Sequence, residues 1–322
     1  MPLFSLDELA AAQDVVRRHV PRTPTYAWPL LAERFGAEVL VKHENHTPTG
    51  AFKVRGGLVY LDRLVRERPT VAGVISATRG NHGQSLAYAG RASNRRVVIV
   101  VPEGNSPGKN AAMRGFGAEL IVHGTDFQEA REHAGSLAEG LGLEMVPPFH
   151  RDLVLGVATY AKELFDDAGP LDAVYVPVGM GSGICGLITV RDLLGLPTKI
   201  IGVVAENAPA TALSFAAGHA VTTPSAATFV DGVATRSPDP MAIDIICRGA
   251  ERIITVPEDT AAEAIRVTTE ATRQLVEPAG ALALAALLVE PPAVARVAVI
   301  QSGGNADAEQ LASVWRGETP AP

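Results

Sequence analysis

The 322-residue chain is poor in aromatic residues, at 5%, carries two cysteines, and has no basic run longer than Arg95-Arg96. Each scarcity removes a class of protein. Cys185 and Cys247 cannot build a disulfide framework, and no histidines are spaced around them as a zinc site requires. A formal net charge of -7 with a pI near 5.7 speaks against a nucleic-acid partner, which needs a clustered cationic footprint. The longest apolar stretch, 279–289, is too short to cross a bilayer, and Asp7, Glu8 and Asp14 break up the N-terminal segment. Neither membrane anchor nor signal peptide is expected, and the setting reads as cytoplasmic. What the chain has in quantity is apolar surface: 47% hydrophobic residues over this length bury a large core, in two domains or one large one.

Several units repeat the order apolar run, glycine turn, amphipathic helix: 71–76 with 80–93, 97–102 with 107–115, and 173–177 with 183–194. Strands alternating with helices of that length predict α/β architecture, with parallel or mixed sheets flanked by helices. Further strands are expected at 38–42, 119–122, 199–205, 252–256 and 297–301. Helical spacing with acidic first turns marks 126–140 and 259–270. The segment 143–150, with Pro147-Pro148, is the best sequence candidate for a crossing between domains.

Four strings carry chemistry. Lys53 lies in Ala51-Phe52-Lys53-Val54-Arg55-Gly56-Gly57, and an amine wedged between apolar neighbours loses its proton readily and becomes a nucleophile able to form a Schiff base. Gly179-Met180-Gly181-Ser182-Gly183 follows a strand and opens a helix, so its backbone N–H groups can converge on a phosphate. The overlapping Gly181-x-Gly183-x-x-Gly186, with Glu206 twenty residues beyond, imitates a dinucleotide fingerprint and by itself favours NAD. Against NAD, the motif sits mid-chain and leaves Lys53, Asn81 and Ser302 unexplained. Thr78-Arg79-Gly80-Asn81-His82 stands where a strand gives way to a helix, suited to gripping a carboxylate, although such a string also serves as a simple capped turn. Arg79 offers a rigid five-donor fork to a carboxylate or an aromatic ring, or else faces solvent. Ser302, in Gln301-Ser302-Gly303-Gly304-Asn305, is in other settings most often a helix cap.

Together these strings resemble the fold-type II pyridoxal-phosphate (PLP) enzymes, specifically the serine/threonine dehydratases, from about Thr23 to Asn305. The resemblance implies that Lys53 is the lysine that holds PLP and then serves as general base, with Ala51 in place of the usual serine. It assigns the cofactor phosphate to Gly179, Met180, Gly181, Ser182 and Gly183, the 3′-oxygen to Asn81, and the pyridine nitrogen to Ser302. Thr78, Arg79, Gly80 and His82 fall on the substrate-binding motif, and Glu277 and Asp231-Gly232-Val233-Ala234 on loops that line the site. Met180 and Ser182 interrupt a run of glycines usual in the family, as in a branch that includes phenylserine and hydroxyectoine-pathway dehydratases. Glu206 matches one carboxylate of a divalent-cation site, but Ala212 stands where relatives have Asp, so no tight divalent site is expected and at most a monovalent ion is held by backbone carbonyls. The family organisation implies a smaller mobile domain at 46–147, a larger PLP-binding domain from 1–45 and 148–322, and a homodimer. With 17 residues after Asn305, no regulatory domain and no isoleucine control are expected. The implied activity is an ammonia-lyase converting an L-β-hydroxy amino acid, threonine, serine, phenylserine or similar, to a 2-oxo acid and ammonia. The alternatives are a PLP racemase with Thr78 as the opposite-face hydroxyl, an NAD oxidoreductase, or a non-catalytic PLP carrier.

Overall fold

Apolar strands followed by amphipathic helices produce two separate sheets in the computed structural model, which describes residues 2–322. The strands are β1 (Thr25–Ala27), β2 (Glu38–His43), β3 (Gly73–Ala77), β4 (Arg96–Val101), β5 (Glu119–Val122), β6 (Glu144–Met145), β7 (Ala173–Pro177), β8 (Lys199–Ala205), β9 (Arg252–Val256) and β10 (Arg296–Gln301). All eight strands expected from the sequence form, within a residue or two of their expected ends. The short strands β1 and β6 are additional. Neither carries enough alternation to be read locally, and each is defined by its pairing with β2 or β3.

The first compact unit comprises residues 2–6, Arg22–Phe52 and Ala158–Pro322. Its sheet runs β1-β2-β10-β7-β8-β9, parallel throughout except for antiparallel β1 at one edge. Central strands such as Val174, Tyr175 and Val299 are buried, as parallel strands covered on both faces must be. The apolar stretch noted in the sequence belongs to the helix Pro278–Val289, buried at every position from Pro278 to Leu287, and it packs in the same core as Val39, Tyr175 and Val203. A helix apolar all round is a core helix when, as here, it is far too short to span a membrane. Among the described residues no helix is long and apolar enough to do so.

The second unit comprises Asp7–Pro21 and Lys53–Val157. Its sheet, β5-β4-β3-β6, is wholly parallel. Ile75, Ala77, Val98 and Val100 pack against Ala130, Ala134 and Ala138 of the helix Phe127–Leu141. Where the sequence places a smaller domain at 46–147, the chain enters this unit between Phe52 and Lys53 and leaves it between Val157 and Ala158. The reason is visible in 143–150: it is not a crossing, because Glu144 and Met145 pair with Val74 and Ile75 and extend the sheet. The passage falls instead inside the helix Arg151–Ala168.

Candidate active site

In the first unit, β2, β10 and β7 are parallel neighbours, so the segments that follow them emerge at one edge of the sheet. Backbone pairing then ties two of these segments together. The Phe52 N–H donates to the Ser302 carbonyl at 3.1 Å, the Gly304 N–H donates to Gly50 at 2.9 Å, and the Asn305 amide donates to the Thr49 carbonyl at 2.8 Å. Residues 49–52, which lead directly to Lys53, are therefore fixed against Ser302–Asn305. Ser302 is buried, and its hydroxyl donates to the Ala279 carbonyl at 3.3 Å. Glu277 is buried beside it, with its N–H on the Gly303 carbonyl at 3.2 Å. A β-carbon on Gly303 would stand 2.0 Å from a Glu277 carboxylate oxygen, so any side chain there would displace that carboxylate.

After β7 the chain turns through Gly179, Met180 and Gly181 into the helix Ser182–Leu193. Gly181 has φ 98°, a left-handed conformation that side-chain-bearing residues seldom adopt. A β-carbon on Gly179 would lie 2.8 Å from the Gly232 carbonyl, which puts the Asp231–Val233 turn against the loop. The first-turn N–H groups of this helix and the positive end of its dipole are left without a side-chain cap. The Tyr160 hydroxyl donates to the Gly183 carbonyl at 3.1 Å from beneath.

The second unit assembles the other string. β3 ends at Ala77, the Thr78 N–H reaches back to Val100 at 3.1 Å, and the buried Thr78 hydroxyl accepts the Gly80 N–H at 3.2 Å. This closes the turn before the helix Asn81–Ser93, which likewise has no side-chain cap. The helix Lys53–Glu67 lies against it at very close range, because Gly57 leaves room for Ser85, where a β-carbon would come within 2.3 Å of the hydroxyl. Ser85 in turn donates to the Lys53 carbonyl at 2.6 Å. Lys53 is thereby held beside the start of the Asn81–Ser93 helix. Burial, and then the Lys53 ammonium, push His82 down to about 3, and its Nε2 is sealed from solvent with no partner. His82 is consequently a neutral imidazole near pH 7. Arg79 is exposed and forms no ion pair among the described residues.

The structure thus gathers Gly179–Gly183, Glu277 and Ser302 in the first unit, and Lys53, Thr78, Arg79, Gly80, Asn81 and His82 in the second. Two further residues were not legible from the sequence. They are Tyr160 and Lys109, which lie outside the four sequence strings. Lys109 is buried, with its stem carbons 2.9–3.7 Å from where a Gly80 β-carbon would sit. Only contacts across the fold reveal either.

The residues present fit a phosphorylated pyridine cofactor. An uncapped helix with a glycine entry suits the phosphate, and a buried neutral hydroxyl at the end of β10 suits a ring nitrogen that need not be charged. Known proteins agree. The chain matches the model of the pyridoxal-phosphate dependent enzymes over residues 16–303. It is 32% identical to the L-threo-3-hydroxyaspartate ammonia-lyase of Saccharomyces cerevisiae, across 97% of this chain and 96% of that one. It is 31% identical to the L-threonine ammonia-lyase of Thermotoga maritima, across 96% and 77%. The processed form of threonine deaminase isoform 2 from Solanum lycopersicum superposes with a TM-score of 0.90 at 30% identity, covering 98% of this chain and 89% of that one. The chain belongs to the pyridoxal-phosphate dependent enzymes, and within them to the ammonia-lyases.

Proposed function

We propose that the protein converts an L-β-hydroxy amino acid with an acidic β-substituent, of the 3-hydroxyaspartate type, into a 2-oxo acid and ammonia. The observation that carries the choice of side chain is Arg79: exposed, without an acidic partner among the described residues, and set in the turn whose backbone is suited to the substrate α-carboxylate. A full-length relative bearing the hydroxyaspartate name supports it.

PLP, when bound, supplies a ring that takes up the electron pair left at Cα after a proton is lost. The first-turn N–H groups of Ser182–Leu193 would hold the phosphate in a site that costs no side-chain charge. The Ser302 hydroxyl would meet the ring nitrogen without an anion, so the nitrogen would not be held protonated, which favours β-elimination over transamination. Lys53 would be the residue that holds the cofactor covalently, and its amine, once freed, would take the Cα proton. His82, kept neutral beside it, adds no positive charge that would oppose that transfer. The proton taken from Cα would leave with the β-hydroxyl as water, which restores the Lys53 amine, and the released enamine would take water back to give the 2-oxo acid and ammonia. The reading carries a cytoplasmic homodimer with a mobile smaller domain, which the family resemblance supports. In the racemase alternative the Thr78 hydroxyl would serve the opposite face, and racemisation would appear as D-amino acid in place of keto acid.

The test is keto-acid yield from L-threonine, L-serine, threo-phenylserine and L-threo-3-hydroxyaspartate. Arg79→Ala is expected to lower kcat/KM on 3-hydroxyaspartate by about tenfold to a hundredfold, the loss of roughly 1.5–3 kcal/mol for a hydrogen bond to a charged group. Threonine should be little affected. An equal loss on every substrate would move Arg79 to the α-carboxylate, and no loss on any would remove it from the site.

Ser302→Asp is expected to place an anion at the ring nitrogen and raise its pKa. Elimination slows and transamination appears, detected as the aminated cofactor in spent enzyme, whereas Ser302→Ala slows turnover without changing the products. Unaltered partitioning in Ser302→Asp would separate Ser302 from the ring.

A further inference from the structure

We propose that Tyr160 is a positioning residue that locks the phosphate loop to the turn bearing Lys53. The proposal rests on the PLP reading of the site and concerns a residue outside its sequence motifs. Tyr160 stands on the helix Arg151–Ala168 at 1% exposure. A buried tyrosine hydroxyl is costly unless it is bonded. Here the hydroxyl donates to the Gly183 carbonyl at 3.1 Å, in the first turn of the helix whose N–H groups face the phosphate. The same ring meets Phe52 edge to face, with centroids 6.0 Å apart. Phe52 is bonded through its N–H to the Ser302 carbonyl and is covalently joined to Lys53. One side chain therefore touches both the loop that fixes the phosphate and the residue preceding the lysine that must reach the aldehyde. Gly183 closes the fit from the other side: a β-carbon there would sit 3.4 Å from the Tyr160 hydroxyl and 3.8 Å from the Phe52 ring. The distance between phosphate and aldehyde in PLP is fixed, so a loop free to shift relative to Phe52 would hold one end of the cofactor at the expense of the other.

The experiment compares PLP with pyridoxal, which has the same aldehyde and ring but no phosphate. Cofactor-free enzyme, parent and Tyr160→Phe, is titrated with each, following visible absorbance and borohydride-fixed label on Lys53. Loss of one buried hydrogen bond is expected to weaken PLP about three- to tenfold. Pyridoxal binding should be unchanged, so the preference for PLP over pyridoxal falls by the same factor. A purely structural tyrosine would weaken both equally or neither, and either result overturns the proposal. Phe52→Leu, which keeps the hydroxyl bond and removes the ring contact, provides the second arm. It is expected to lower Lys53 labelling by PLP and pyridoxal alike while preserving their ratio, and labelling equal to the parent's would sink the Phe52 half of the link. Failure of the parent itself to take up PLP would fault the cofactor reading and not the role of Tyr160.

Discussion

Lys53→Ala is expected to reduce turnover to background and to leave PLP, if retained, removable by simple dialysis. Lys53 is the amine joined directly to Phe52, so both covalent attachment and proton removal at Cα go with it. The fold should survive. Lys53 is the first residue of its helix, and the contact that seats it, Ser85 donating to its carbonyl, is made by backbone that alanine retains. His82 should remain neutral in the variant, because burial and not the Lys53 charge is the larger cause of its low pKa. In the parent, borohydride reduction followed by digestion and mass measurement should find the cofactor on the peptide containing Lys53. A label on another lysine, or an alanine variant with keto-acid production above background, would remove Lys53 from the chemistry.

Glu163→Ala should be the most damaging single change to stability. Lys42 on β2 and Glu163 on the helix Arg151–Ala168 are both buried, at 0% and 1% exposure, with Nζ and Oε2 3.0 Å apart. The Lys42 ammonium also donates to the Thr23 carbonyl at 2.8 Å. Taking away the carboxylate leaves a cation in the core facing the Thr23 carbonyl, a loss of about 3–5 kcal/mol. Replacing both members with apolar residues, as Lys42→Met with Glu163→Leu, should recover most of it, since the cost of the single change is an uncompensated charge and not a missing attraction. Urea midpoints of the two singles and the double measure this directly. A Glu163→Ala midpoint close to the parent's would mean that Lys42 is hydrated or neutral in the fold. The pair has a functional side as well: β2 runs into the 44–52 segment that presents Lys53, so loosening its anchor should weaken PLP binding before the protein unfolds.

By itself the sequence determined the architecture and the chemistry of the site. The strands announce themselves as short apolar runs between glycine turns, as in 97–102 and 199–205, because a parallel strand covered on both faces must be apolar along its whole length. The glycine string at Gly179–Gly183 and the turn at Thr78–His82 are equally local, since positive φ and an open helix N-terminus are properties of consecutive residues. The tertiary structure decided what depends on pairing and burial. β6 exists only because β3 lies beside it, which turns 143–150 from a crossing into a sheet edge and moves the passage between units to Val157/Ala158. The helix at 278–289 could not be typed from an apolar run without periodicity, and its burial on all sides supplied the answer. Tyr160, Lys109 and the Lys42–Glu163 pair look, residue by residue, like ordinary aromatic and charged positions. Their partners lie 23, 29 and 121 positions away in the chain, a separation at which only the folded packing brings atoms into contact.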